Sequence, residues 1–425
     1  MKIEITEKIQ YIIDLVNNSK RDIFITGRAG TGKSTLLEYI RDNAKKNLIV
    51  LAPTGVSALN IKGQTIHSFF NFKPNITIDK IKKGSQSGVY KNIDLIIIDE
   101  VSMLRADLLD CVDKFLRLSR KIDKPFGGIQ MVFVGDLYQL PPVVTYEDKR
   151  ILDYYLYKTP YFFSAYSISQ IDLEIIELNK IYRQKDNNFI GLLNSVRNKK
   201  IDSEKIDKLN KRHDPNINEK NDLYITLTST NKLSEKINLE KLSGIKGENY
   251  EYDSEINGNF NEKSYPTNKT LNLRIGSQIM LINNDSKKRW VNGSIGKVVD
   301  IIENLITKND IILVKLENGK IEEVEPHKWD IYTYYLDEKV RKIKQKTSGC
   351  FIQYPIKLAW AITIHKSQGK TFDKVIIDTG NGCFVHGQLY VALSRCTTLE
   401  GIILRKPINR RDIIFDFRIE EFLNN

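Results

Sequence analysis

The stretch "DIFITGRAGTGKSTLLEYI" (22–40) restricts the possible folds of this chain more than any other. Ile23 to Thr26 reads as a short strand, followed by a glycine-rich turn and then a helix. Gly27, Gly32, Lys33 and Ser34 fill the fixed positions of G-x-x-x-x-G-K-[ST], with Ala29, Gly30 and Thr31 inside the loop and Thr35 behind it. The glycines let backbone N–H groups wrap a phosphate, and the helix N-terminus adds its dipole. Lys33 can reach the β- and γ-phosphates of ATP, and the Ser34 hydroxyl suits Mg²⁺.

Such a site needs a carboxylate at the end of a neighbouring strand. "DLIIIDEVSML" supplies one, because Leu95 to Ile98 is an apolar run suited to a strand buried on both faces. Asp99 follows it as a metal ligand, and Glu100 can accept a proton from the attacking water. "MVFVGDLYQLPP" reads as a further buried strand, with Gln139 beyond it to orient water or sense the γ-phosphate. Strands alternating with helices, and chemistry at the strand ends, predict a doubly wound, mostly parallel α/β sheet.

A second glycine-lysine-threonine, Gly369-Lys370-Thr371, ends "AITIHKSQGKT". It is no second phosphate loop, because the glycine required five positions earlier is Ile364. At 425 residues the chain predicts two or three domains. Its formal net charge of +12 favours a polyanionic partner, although a basic surface kept for solubility satisfies the same number. The four scattered cysteines include no C-x-x-C, which argues against a zinc site or disulfide framework. No apolar run has the length of a membrane span. The amino-terminal residues do not read as a signal peptide, so an intracellular, cytoplasmic setting is expected, or a nuclear or mitochondrial one in a eukaryote.

Six strings follow in order: "APTGVSALNIKGQTIHSFF" (52–70), "IIIDEVSML" (96–104), "VGDLYQLPPV" (134–143), "LNKIYRQKDNNFIGLLNSVR" (178–197), "AWAITIHKSQGKTFD" (359–373) and "GQLYVALSRCTTLEGI" (387–402). Together they closely resemble the Pif-type DNA helicases of superfamily 1B. The resemblance implies two RecA-like motor domains that bind ATP between them and walk 5′ to 3′ along single-stranded DNA. It also implies adenine recognition by Gln10, arginine fingers at Arg183 and Arg395, and an approach of Gly369 towards the γ-phosphate side. An always-charged planar guanidinium suits the finger role.

The family's DNA contacts map to Pro53, Thr54 and Gly55, to Thr65, His67 and Ser68, and to Thr363, His365 and Lys366. Thr228 and Asn231, at a strand-to-helix junction, are assigned to DNA as well, since hydroxyls there can hold phosphate or cap the helix. Phe69 and Phe70 read as core. Residues 271–346 carry short strands separated by Asn-Gly and Asn-Asn turns, the pattern of hairpins and a small β-barrel. The resemblance makes this an insert like a Src-homology-three domain. "KVRKIKQK" (339–346) alternates like one arm of a basic hairpin. Residues 71–92 stand where the family carries its strand-parting wedge.

The expected division is thus 1–165 for the first RecA-like domain, 166–270 and 347–425 for the second, and 271–346 for the insert. The function expected is an ATP-dependent helicase acting on single-stranded DNA and DNA forks as a monomer, with G-quadruplexes or RNA–DNA hybrids as further substrates. Rival readings are a RecD-like recombination subunit, an ATP-controlled DNA clamp, and an RNA motor.

Overall fold

The computed structural model of the protein describes residues 4–84, 87–217, 223–303 and 309–424. Positions 85 and 86, within the expected wedge, lie outside them. The chain divides into two units. The first holds residues up to Tyr182 together with Asp330–Gly349 and Asp416–Asn425, and the second holds Arg183–Trp329 and Cys350–Phe415.

In the first unit, α1 (Glu7–Asn18) precedes β1 (Asp22–Gly27), α2 (Lys33–Asn43), β2 (Leu48–Ala52), α3 (Gly55–Asn60), β3 (Gln64–Thr65), α4 (Ile66–Phe70) and α5 (Ser87–Lys91). Then come β4 (Leu95–Ile98), α6 (Ala106–Arg120), β5 (Gln130–Val134), α7 (Tyr146–Tyr154) and β6 (Leu173–Leu178). The six strands form one sheet in the order β3-β2-β4-β5-β1-β6, and every pairing is parallel.

Burial on both faces explains why the central strands are apolar along their middle stretches. Phe24, Ile96, Ile98, Met131 and Phe133 enter one core cluster. Their immediate neighbours Ile23, Ile25, Ile97, Val132 and Val134 enter another. Successive side chains point to opposite faces, and helices cover both. The register pairs Ile25 with Val134 and Ile98 with Phe133, so the carboxyl ends of β1, β4 and β5 finish together.

The second unit carries α8 (Asn187–Arg197), α9 (Ser203–Asn210), β7 (Ile225–Thr228) and α10 (Asn231–Ser243). Short strands follow: β8 (Tyr250–Asp253), β9 (Glu255–Gly258), β10 (Thr270–Leu273), β11 (Gln278–Leu281), β12 (Ile295–Ile302), β13 (Ile311–Leu316) and β14 (Ile321–Val324). Two long strands come next, β15 (His327–Asp337) and β16 (Lys342–Gln353), whose residues 330–349 count with the first unit. The chain finishes through β17 (Ile356–Leu358), β18 (Ala361–Thr363), β19 (Val375–Asp378), α11 (Gln388–Leu393), β20 (Ile402–Leu404) and α12 (Phe417–Asn424), the last belonging to the first unit.

β18-β7-β19-β20 is a parallel sheet. β14-β13-β12-β11-β17 is an antiparallel sheet with its own core of Leu271, Ile279, Leu281, Val298, Ile312, Val314 and neighbours. The basic run 339–346 forms the turn between the long strands and the start of β16.

Candidate nucleotide site and nucleic-acid interface

The loop between β1 and α2 takes its shape from its glycines. Gly32, the residue before α2, is left-handed at φ 84°, a conformation that costs glycine nothing. A Cβ on Gly27 would sit 2.7 Å from the Leu178 carbonyl oxygen and 2.8 Å from Thr31 Oγ1, so no other residue fits there. Thr31 Oγ1 donates to the Arg28 carbonyl at 2.9 Å. Lys33 Nζ donates to the carbonyls of Gly27 at 2.7 Å and Arg28 at 3.0 Å. Ser34 is exposed in the first turn of α2, followed by half-buried Thr35, while Ala29 is buried beneath the loop.

Asp99 stands just past β4 and is only 8% exposed. Burial and the adjacent Glu100 carboxylate push its pKa well above the usual carboxylate range, and Lys33 is the cation that opposes them. Glu100 is left-handed at φ 49°, a strained conformation for a side chain of its size. Gly135, after β5, packs on the turn that follows Glu100, since a Cβ there would lie 3.0 Å from the Val101 backbone nitrogen. Four residues on, buried Gln139 donates from Nε2 to Asp136 Oδ2 at 3.2 Å. The carboxyl edge of one sheet therefore gathers Lys33, Asp99, Glu100 and Gln139. Gln10 is exposed on α1, beside Asp14.

In the second unit the two arginines donate to different carbonyls of the same two stretches, 367–370 and 391–394. Arg183 donates from Nη1 to the Ser394 carbonyl at 3.2 Å and from Nη2 to the Gly369 carbonyl at 3.5 Å. Arg395 is 1% exposed and turns back on α11, donating from Nε to the Val391 carbonyl at 2.9 Å. Its Nη1 reaches the carbonyls of Ser367 at 3.4 Å and Lys370 at 3.3 Å.

The residues assigned to DNA fall at strand and helix ends. Thr54, between Pro53 and Gly55, caps α3 by accepting from the Ser57 amide, and Thr65 caps α4 by accepting from the Ser68 amide. His67 is half-buried and Ser68 exposed on that short helix, while Phe69 and Phe70 are buried in the core. Thr228 and Thr363 are register partners in β7 and β18. Thr228 is fully buried, its hydroxyl donating inward to the Thr230 carbonyl at 3.0 Å, whereas Asn231 is exposed at the start of α10. Thr363 Oγ1 accepts from the Lys366 amide at 3.3 Å. Lys366 is exposed, and burial lowers the pKa of His365.

A model of the PIF1-like helicase family matches residues 2–207, and one of the UvrD-like helicase C-terminal domain matches 358–401. The ATP-dependent DNA helicase Pif1 of Bdellovibrio bacteriovorus is 30% identical, over 99% of this chain and 92% of its own. The chain belongs to the PIF1-like helicase family. The structure of unliganded Pif1 from Bacteroides sp is 39% identical, with a TM-score of 0.90 over 100% of this chain and 97% of that one. The same protein in complex with ADP-AlF4 gives 38% and 0.90 over the same shares. The two parallel sheets are thus those of RecA-like domains. The chain spans 46% of the PIF7 helicase of Trypanosoma brucei brucei at 29% identity, and 62% of the PIF1 helicase of Emericella nidulans at 30%. It covers 94% and 98% of itself in those two matches.

For this PIF1-like chain, sequence reading passed over several residues that hold the site. The Tyr182 amide donates to the Gly30 carbonyl at 2.8 Å, fixing the phosphate loop from beyond β6. Gln184, next to Arg183, donates to the carbonyls of Ser394 at 3.1 Å and Cys396 at 3.0 Å. Asp136 positions Gln139. Only adjacency to Arg183 and Gln139 could have signalled them.

Proposed function

We propose that this chain is an ATP-driven DNA motor that moves 5′ to 3′ on single-stranded DNA and unwinds duplexes and forks. The observation that carries this reading is the gathering of Lys33, Asp99, Glu100 and Gln139 along one sheet edge. That is the equipment for hydrolysing a nucleoside triphosphate rather than merely binding it. Among the similar structures are Bacteroides Pif1 bound to single-stranded DNA and a study of unwinding at forked DNA by two coordinating Pif1 helicases.

Lys33 would grip the terminal phosphates once its donors leave the loop carbonyls. Glu100 would accept the proton of the attacking water, with Gln139 orienting it. Arg183 and Arg395 would stabilise the transferring phosphoryl group. A hydroxyl and a carboxylate are hard oxygen donors that suit Mg²⁺, and a cation would relieve the charge cost of buried Asp99. Mg²⁺ held by Ser34 and Asp99 would supply charge neutralisation at the phosphates. Gln10 would read the adenine edge. Pro53, Thr54, Gly55, Thr65, His67, Ser68, Thr228, Asn231, Thr363, His365 and Lys366 would line the track for the strand, Thr228 through its backbone.

The antiparallel sheet around β11–β14 would be the small barrel, and residues 71–92 the wedge. The test is strand separation on matched duplexes carrying either a 5′ or a 3′ single-stranded tail. Unwinding of the 5′-tailed substrate alone is expected. Unwinding from the 3′ tail would overturn the direction, and DNA-stimulated hydrolysis without unwinding would favour a clamp.

A further inference from the structure

Three lysines of the second unit come together from separate segments. Lys357 lies on β17, paired with Met280 of β11, so the antiparallel sheet carries it. Lys366 sits within the turn that follows β18 and Lys370 just beyond it, in the parallel sheet's own loop. Both are close enough to Lys357 for their charges to press on its ammonium group. Lys370 Nζ donates to Asn292 Oδ1 at 2.5 Å, and the Asn292 amide is fixed in turn by Asn284 Oδ1 at 2.9 Å. Among the described residues no carboxylate pairs with any of the three lysines.

Concentrating like charges in a half-buried place, without a counter-charge, opposes folding. A chain that does so has an anion to receive. We propose that Lys357, Lys366 and Lys370, with Asn292 beside them, seat one phosphodiester of the single strand. This rests on the DNA-motor reading above and adds Lys357, Lys370 and Asn292 to the track. Burial supports it, since both Lys357 and Lys370 are lowered to about 8, and a bound phosphate would favour their charged forms. The junction of the two sheets then has a purpose. One phosphate gripped from both would make the antiparallel sheet and the motor sheet respond to the same step of the strand.

The experiment is fluorescence anisotropy of a labelled oligothymidylate across a salt series. It compares the full chain with Lys357→Gln, Lys370→Gln and their arginine counterparts. Each phosphate contact contributes about −0.7 to the slope of log affinity against log salt for single strands. Because the seat holds one phosphate, each glutamine variant should flatten the slope by part of about 0.7 and the two glutamines together by no more than it, while each arginine variant should keep it. Weaker binding with an unchanged slope would mean that the lysines only pack, and would overturn the proposal. A higher KM for ATP in the absence of DNA, with the DNA slope unchanged, would assign the seat to nucleotide phosphate and overturn it too. If the unmodified chain binds the oligonucleotide without salt dependence, the motor reading fails first. A glutamine variant that misfolds would reveal itself by melting, and the other glutamine variant then carries the test.

Discussion

Arg395 and Lys370 are joined through backbone: a guanidinium nitrogen of Arg395 donates to the Lys370 carbonyl oxygen at 3.3 Å. The ammonium of the same lysine reaches Asn292. One residue thus faces an arginine with its carbonyl and the proposed phosphate seat with its side chain. A shift of this loop on gripping DNA would be felt by the guanidinium through a single peptide unit. That gives DNA-stimulated hydrolysis a physical route, open to test by whether Lys370→Gln loses stimulation.

Arg395→Lys should leave ATP binding near normal and slow hydrolysis about 10³-fold or more, as loss of an arginine finger does. The charge is kept, but an ammonium cannot reproduce the planar fork that serves Val391, Ser367 and Lys370 together. Single-turnover hydrolysis beside nucleotide-binding titration separates the effects. Hydrolysis at the unmodified rate would remove Arg395 from the reaction.

Glu100→Gln should bind ATP and hydrolyse it about 10² to 10⁴ times more slowly, the usual cost of losing a general base. Glutamine meets the same backbone strain at φ 49°, so the local fold should survive. The buried Asp99 would also lose the neighbouring charge that raises its pKa. Normal turnover in this variant would pass the base role to another group.

How far the sequence could be read depended on how local the signal was. The phosphate loop, the apolar runs before Asp99 and Gly135, and the cores at Phe69 and Phe70 follow from patterns within a few residues. The ring pair Phe69–Phe70 meets edge to face at 4.8 Å, as a packed core would have it. Tyr182 at the loop, and Lys357 opposite Lys366, are tertiary meetings that no periodicity announces. Arg395 is buried and folded back on Val391, and the carbonyls of Ser367 and Lys370 that also receive it come from a distant stretch, which nothing near it in the sequence announces.

Tyr334 belongs to the basic hairpin, yet its hydroxyl is spent on β2. It accepts from the Val50 amide at 3.0 Å and donates to the Val50 carbonyl at 3.3 Å. β3 pairs only with Leu51 and Ala52, so the hydroxyl stands in for a missing strand beside Val50. Tyr334→Phe would leave buried backbone groups without partners, at a cost of about 1–3 kcal/mol. Melting of the full chain should fall accordingly while ATP affinity stays unchanged. An unaltered melting temperature would mean that water replaces the hydroxyl.

Asp22 offers a test of sign as well as size. Its carboxyl, at the start of β1, accepts from the Met131 amide at 2.7 Å, and burial raises its pKa to about 6. The folded state therefore holds this proton more tightly than the unfolded chain does. Its contribution to stability declines as pH rises from about 4 to about 6, and the penalty stays in full above that. Asp22→Asn keeps an oxygen for Met131 and removes the charge. At neutral pH it should stabilise by at most about 3 kcal/mol, the value of the full shift. The melting temperatures of the two proteins should coincide near pH 4 (about the unfolded value), separate up to about pH 6, and run parallel beyond. A gap that does not change with pH, or an asparagine variant that melts lower at neutral pH, would show that the charged carboxylate is stabilised at this position after all.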